Sequence, residues 1–366
     1  MASPNPSPKI SASDHGDEEL GKQAIRLANA VVLPMALKSA IELNVLEVLS
    51  RAGPDAFLPP SRIAAEIGAA GNPDAPVLLD RLLNLLASHS ILKCRPVARE
   101  DGAVERRYGV SPICEFFTED EDGGSVAPLL LLHHDKVFMK SWYHLNDAIM
   151  EGGVPFDREY GMNVFEYPGT DPRFNQVFSK AMSSHTTLIM KKVLGLYKGF
   201  EGVGVLVDVG GGVGVTLGMI TSMYPSIKGI NFDVPHVLAV APSFPGRVEH
   251  VGGDMFSKVP KGDAMFMKWI LHGWSDEKCR KVLMNCYEAL PSWGKVIMVE
   301  SILPEVPDNS VTTNIVCEQD LFMMAQNPGK ERRLSEYDTL AKEAGFAGCQ
   351  VICNAYNSWI MELTKP

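Results

Sequence analysis

Two hydrophobic spacings divide the chain. Between residues 20 and 200 apolar positions recur every three to four residues. Beyond Leu206, short apolar runs ending in polar residues alternate with amphipathic stretches. The first spacing belongs to helices that bury one face, the second to parallel strands alternating with helices. Residues 20–50 read as helices, with Ala30–Leu37 leading into Ala40–Leu43 and Val45–Leu49. A turn at Ala52-Gly53-Pro54 follows, then a helix from Pro60 to Ile67 with Ser61 near its cap, then another from Pro76 to Leu86. Ile91 to Val110 alternates around a charged turn, Glu100-Asp101-Gly102, and predicts a hairpin. Helices followed by a hairpin make a winged-helix pattern. The Pro76–Leu86 helix is mostly leucine, with only Asp80 and Arg81 charged, so it suits a dimer interface better than DNA.

Ser125 to Lys198 is helical again, with a break at Gly152-Gly153-Val154-Pro155 and a long helix from Pro172 to Leu194 that Gly195 is expected to stop. Strands are predicted at 205–209, 229–233, 248–251, 264–268, 295–300 and around 349–362. This repeated βα pattern gives an α/β fold with a doubly wound, mostly parallel sheet, whose ligands sit beyond the carboxyl ends of the strands. The expected organisation is a disordered tail at 1–19, a winged-helix dimerisation domain at 20–120, a helical linker and pocket region at 121–200, and a nucleotide-type domain at 201–366.

Composition narrows the partners. A formal charge of -10 argues against nucleic acid. No apolar run reaches the roughly 18 residues of a membrane span, and Met1 to Glu18 lacks a signal-peptide core. A cytoplasmic location is expected. The seven cysteines form no C-x-x-C pair and read as reduced thiols. No motif asks for a metal, and His133-His134 are adjacent on a helix, so they are not read as ligands.

The chemistry concentrates at strand ends. Leu206 to Gly214 reads Leu-Val-Asp-Val-Gly-Gly-Gly-Val-Gly, an apolar run closing in Asp208 with glycines at alternate positions. Those glycines permit a sharp turn and close ligand approach. A second strand, Gly229 to Phe232, ends in Asp233, where a ribose would need an acceptor. The dinucleotide pattern G-x-G-x-x-G/A fails, because Val215 and Leu217 fall at its sixth position. The leading acid and alternating glycines instead resemble motif I of S-adenosylmethionine (SAM) methyltransferases. Asp254-Met255 suits an adenine, by carboxylate and by apolar contact.

Lys268 closes the strand Met265–Lys268, and His272 follows between two tryptophans, Trp269 and Trp274. In that apolar setting the imidazole is expected to have a lowered pKa and to act as a neutral base. Glu300 ends the next strand and is expected to orient the ring; Glu331 follows Asn327-Pro328-Gly329. Phe174, Phe178, Met182 and His185 share a helix face, which spacing alone leaves open to core packing or to a ring pocket.

With Val31–Met35, Phe165-Glu166-Tyr167, Gly169–Asn175, Val207–Gly212, Gly229–Asp233, His250–Phe256, Met267–His272 and Asn327-Pro328-Gly329, the chain resembles plant caffeate-type SAM-dependent phenolic O-methyltransferases from about Leu20 to Leu363. The resemblance implies a homodimer that methylates a phenolic hydroxyl of a phenylpropanoid or related aromatic, releases S-adenosylhomocysteine and uses no metal. A non-catalytic SAM-binding dimer, or a methyltransferase of flavonoids or phenolic alkaloids, are the alternatives. It maps the SAM site onto Gly210, Asp233, Asp254, Met255 and Lys268 beside Asp208. The base falls on His272, flanked by Glu300 and Glu331. The phenol pocket falls on Leu132, His133, Phe174, Phe178, Met182, His185, Phe322, Met323 and Asn327. Three departures stand out: Gly273 where the family usually has Asp, Leu132-His133 where it has Met-Asn, and Phe322 in place of an aliphatic residue.

Overall fold

The computed structural model describes residues 12–100, 102–244 and 246–366. The chain divides into two compact units, Met1–Thr118 and Glu119–Pro366.

In the first unit, α1 (Ala12–Ala28), α2 (Val32–Glu42), α3 (Val45–Ala52), α4 (Pro60–Glu66) and α5 (Ala75–Ser88) precede an antiparallel hairpin, β1 (Leu92–Ala98) and β2 (Val104–Val110), paired from Leu92↔Val110 to Ala98↔Val104. Of the tail expected at 1–19, residues 1–11 lie outside the described residues, and 12–19 are helical. Asp17, Glu18 and Glu19 fall in the N-terminal half of α1, the end where the helix dipole favours negative charge. The core takes Leu37, Val45, Leu49, Ile63, Leu79, Leu83 and Leu86. Asp80 on α5 is used inside the unit: it accepts from the buried Tyr108 hydroxyl at 2.7 Å and pairs with Arg106. The outer face of α5 leaves Val77 and Leu78 uncovered, as α1 and α2 leave Leu20, Ile25, Val31 and Met35.

The second unit opens with α6 (Ala127–His133), α7 (Lys136–Ser141), α8 (Leu145–Glu151), α9 (Pro155–Tyr160) and the 25-residue α10 (Pro172–Leu196). Asp171 caps α10 by accepting from the Phe174 amide at 2.9 Å. Gly195 does not stop this helix. Val193 and Leu194 are packed into the core, and Tyr197 and Phe200 continue the same cluster, so tertiary burial carries the helix through the glycine.

Next come β3 (Val205–Val209), α11 (Val215–Met223), β4 (Lys228–Asp233), α12 (Pro235–Leu238), β5 (Val248–Gly252), β6 (Ala264–Lys268), α13 (Asp276–Ala289), β7 (Lys295–Glu300), β8 (Ile302–Leu303), α14 (Val311–Gln326), β9 (Arg332–Arg333), α15 (Leu334–Glu343), β10 (Cys349–Ala355) and β11 (Ser358–Thr364). The main sheet runs β10-β11-β7-β6-β3-β4-β5. The pairs from β7 to β5 are parallel, and β11 is antiparallel to both of its neighbours. The strands read as continuous apolar runs because both faces are covered. Val207, Met265, Met267, Val296 and Met298 face α13 and α15, whereas Leu206, Phe266, Ile297 and Val299 face α10 and α11. The strand order reverses at β3, which pairs with β4 on one side and β6 on the other. That reversal opens a crevice at the carboxyl ends of these strands.

All seven cysteines are free thiols. Among the described residues, no single helix is long and apolar enough to cross a membrane.

Candidate active site

The crevice is edged by the loop after β3. Gly210 adopts φ +74°, donates to the Phe232 carbonyl at 2.8 Å, and sits where a Cβ would stand 2.5 Å from Ile270 Cδ1. Gly211 is equally confined, by Asn231 and Asp208. The loop therefore stays bare backbone. Asp233 closes β4 and accepts from the Gly212 and Val234 amides at 2.8 and 2.7 Å, which fixes its carboxylate beside the loop. Asp208 is buried and its Oδ2 has no partner. Burial, with Asp233 adding to it, pushes its carboxyl up to about 8. Lys268 ends β6 with its ammonium 4.2 Å from the Trp269 ring centre, and burial pulls it down to about 8 against the nearby acids. Asp254 is turned into its own loop, accepting from Phe256 N and Ser257 Oγ at 2.9 Å each. Met255 packs on the core edge.

His272 lies in a short 3-10 turn, Leu271–Gly273, directly after β6. Its Nδ1 meets Glu331 Oε1 at 2.8 Å, with both residues buried, and its Nε2 has no protein partner among the described residues. Two features bring Glu331 this close. Residues 302–303 and 332–333 pair in parallel as β8 and β9. Gly329 packs so tightly on the His272 carbonyl that no Cβ fits there.

Two expectations are corrected here. Glu300 does not hold the imidazole. Its Oε1 accepts from the Ile270 and Leu271 amides at 2.9 and 2.8 Å, so it holds the backbone turn that presents the ring. Burial raises its pKa, and its Oε2 is buried without a partner. Nor is the His272 pKa lowered. Burial alone would lower it, but the Glu331 and Glu300 charges outweigh that and Lys268 only partly opposes them, so it rises above the ordinary imidazole value. The apolar neighbours were visible in sequence; the carboxylates come from 28 and 59 positions further along (300 − 272 and 331 − 272).

His272, Glu300 and Glu331 keep their ligand-type atoms within 4.8 Å of one another. A cation could use such a set on distance alone. Three of its atoms are already engaged, His272 Nδ1 and Glu331 Oε1 with each other and Glu300 Oε1 with two amides, while Glu300 Oε2 and Glu331 Oε2 are buried without partners.

The expected pocket residues fall into groups. Leu132, Phe174, Phe178 and Met182 join one apolar cluster with Phe138 and Phe156. Phe174 is fully buried there, so it packs the centre of that cluster. His133 stacks on Phe322 at 3.9 Å, and Trp142 meets Phe322 in an edge-on contact at 5.2 Å. His185 stacks on Trp269 at 4.2 Å, and Trp269 reaches His272 at 5.6 Å. Burial keeps both histidines neutral, His133 at about 3 and His185 well below its ordinary value. Asn327 donates to Met323 Sδ at 3.3 Å.

Sequence reading missed several contributors. Trp269 adopts φ +55°, a strained setting for a bulky residue, with a buried and unpartnered indole N–H. Asn231 is fully buried in β4 and donates to the Gly212 carbonyl at 2.8 Å. A lone amide in an apolar strand was the available signal. Arg332 is the largest of the fully buried side chains.

A ligand crevice at the strand ends, edged by a bare glycine loop and an acid that closes the neighbouring strand, defines a cofactor-type site in a doubly wound α/β protein. The comparisons name it. Residues 142–347 match the O-methyltransferase domain family and residues 25–120 the O-methyltransferase dimerisation domain. The chain belongs to the O-methyltransferase family and is a SAM-dependent O-methyltransferase. It is 58% identical over the full length of both chains to a caffeic acid 3-O-methyltransferase of Catharanthus roseus. It is 56% identical to an esculetin O-methyltransferase of Kitagawia praeruptora over 96% of each chain. Human N-acetylserotonin methyltransferase, solved in complex with SAM, shares the fold at TM-score 0.80 and 23% identity, over 94% of this chain and 97% of that one. The residues present fit SAM on their own chemistry. The bare loop admits close approach, Asp233 accepts, and the buried, unpartnered Asp208 oxygen waits for a donor.

Proposed function

We propose that this enzyme methylates a phenolic hydroxyl of a plant phenylpropanoid or a related aromatic, as a homodimer, with His272 as general base and without a metal. The observation that carries the reading is the His272 Nδ1–Glu331 contact at 2.8 Å, which leaves Nε2 as the free ring nitrogen. Glu331 accepts from Nδ1–H and so sets the tautomer whose Nε2 lone pair can take a proton. A phenol has a pKa of about 10, so its oxygen becomes a competent nucleophile as that proton moves to Nε2. The imidazolium formed faces the Glu331 and Glu300 charges, which lower the cost of protonation. SAM, when bound, supplies the methyl group on a sulfonium. The glycine loop, Asp208, Asp233, Asp254, Met255 and Lys268 hold it at the strand ends. His133, Phe322, Met323, Asn327, Phe178, Met182 and His185 supply ring-stacking and apolar surface that suits a flat aromatic.

Names of relatives support this substrate class, as caffeic acid and esculetin are both aromatic hydroxy compounds. The dimerisation-domain match and the exposed apolar residues of α1, α2 and α5 support the homodimer.

The test is methyl transfer from SAM to caffeate, 5-hydroxylated phenylpropanoids, propenylphenols, coumarins, flavonoids and phenolic alkaloids, with products identified by mass and ring position. Strong turnover of the phenylpropanoid or coumarin group is expected, undiminished by a chelator. Turnover confined to flavonoids or alkaloids would replace the substrate class, and loss on chelation would overturn the metal-free reading.

A further inference from the structure

Glu331 and Arg332 are neighbours in sequence, and successive side chains of an extended segment point to opposite sides. Glu331 turns to the His272 ring, and Arg332 turns to the backbone that carries it. The guanidinium is fully buried, and all five of its N–H groups are used. Nη1 donates to the Leu271 carbonyl at 2.8 Å and to the Lys330 carbonyl at 3.4 Å. Nη2 donates to the Trp274 carbonyl at 2.8 Å and to Asp276 Oδ1 at 2.7 Å, and Nε donates to Asp276 Oδ1 at 2.9 Å. Leu271 and Trp274 bracket His272-Gly273, so one side chain spans the turn that holds the ring. Burying a cation costs several kcal/mol unless it is well paired. Here the one anionic partner, Asp276, is half exposed, and three of the five bonds go to neutral carbonyls. A guanidinium so placed is poorly explained as an ion pair and well explained as a geometric clamp. Its planar fork reaches carbonyls that an ammonium cannot span together.

We propose that Arg332 is a positioning residue for the catalytic turn, fixing the backbone at 271–274 in the register that lets His272 meet Glu331. The inference rests on His272 being the general base. Three ionisable side chains bear on the ring: Glu331 on Nδ1, Glu300 behind the turn, and Lys268 at the strand end. Loosening the clamp lets the ring drift from Glu331, the first of these. Misplacement of a reacting group by about 1 Å can cost on the order of 10²-fold in rate.

The experiment compares Arg332→Lys, Arg332→Met and Asp276→Asn with the unaltered enzyme. It reads kcat, KM for SAM, SAM affinity by calorimetry, melting temperature, and the pH at which kcat/KM turns over. For Arg332→Lys the expected result is a kcat loss of about 10–100-fold, SAM affinity within about twofold, and a turnover pH displaced toward the free imidazole value of about 6.5. Asp276→Asn keeps the guanidinium on its carbonyls and should show a smaller displacement in the same direction, even if Arg332→Met does not fold. A variant that melts earlier but keeps its turnover pH would overturn the proposal, since a merely structural role lowers the amount of active enzyme and not its pKa. His272→Ala, measured alongside, separates the two readings. If it retains turnover, the base assignment fails. If it is inactive while Arg332→Lys matches the unaltered enzyme, only the Arg332 proposal fails.

Discussion

The two ends of the crevice are built differently. The end proposed for the cofactor is assembled from strand termini and bare backbone: Gly210, Gly211, Asp208, Asp233 and Lys268 all sit within two residues of the close of β3, β4 or β6. The end proposed for the phenol is assembled from side chains on α6, α10, α14 and the turn after β6, held by ring stacking. A sheet fixes strand ends against one another by register, so the first end tolerates little variation. Stacked rings can be exchanged singly, so the second can change its substrate without disturbing the first. His272 stands where the two meet.

Mutants should separate these ends. The largest effect is expected from His272→Ala: loss of about 10²–10⁴-fold in turnover, with SAM affinity measured by calorimetry almost unchanged. A parallel loss of SAM affinity would mean the ends are not independent. Next is Glu331→Gln, expected to lower kcat by about 10–100-fold, as loss of a partner that orients a ligating or reacting histidine does. Its pH profile gives the sharper reading. The base must be neutral to act, and its folded pKa is raised, so kcat/KM of the unaltered enzyme should be low in acid and rise through an inflection above the ordinary imidazole value. The mutant lacks the charge that raises it, leaving burial to dominate, and its inflection should fall. By linkage, a raised pKa stabilises the fold below the unfolded value, and that increment is lost as pH rises through the folded one.

The smallest effect is expected at Gly273. A Cβ there would meet only Phe165 Cζ, at 3.5 Å, and the backbone needs no glycine, so a side chain fits. Gly273→Asp should leave SAM affinity alone and raise kcat/KM for vicinal diphenols relative to monophenols. An unchanged preference would place selectivity at His133 and Phe322 instead.

Much of the cofactor end was legible in the sequence, because local rules govern it. An apolar run ending in Asp208 before alternating glycines has few readings, and the five parallel strands were placed to within about a residue, whereas the single strand expected around 349–362 is an antiparallel hairpin of β10 and β11. What escaped was set by contacts between distant segments. The direction of the His272 pKa depends on two acids brought back by β7 and by the β8–β9 pairing. Glu300 ends a strand beside the histidine, and nothing local says that its oxygen takes amides and not the ring. Arg332 looks like one more surface charge beside Lys330 and Glu331, and only its buried surroundings make it a clamp. Phe174 and Phe178 are four apart on one helix, yet only Phe174 is fully buried, a distinction that periodicity does not carry.

The pairing of β8 with β9 also imposes an order of assembly. On the ribosome the glycine loop, Asp233, Lys268 and the His272 turn emerge before Glu331 exists, and β7 meets its outer neighbour β11 only once Ser358–Thr364 are made. The cofactor end can gather from near-neighbour strands, whereas the His272–Glu331 pair needs a contact across 59 positions (331 − 272) and closes late. A nascent or truncated chain that ends before Gly329 therefore carries the strand ends proposed for the cofactor but lacks the carboxylate partner of His272. Completing the proposed base thus falls to residues made after the parallel strands of the sheet.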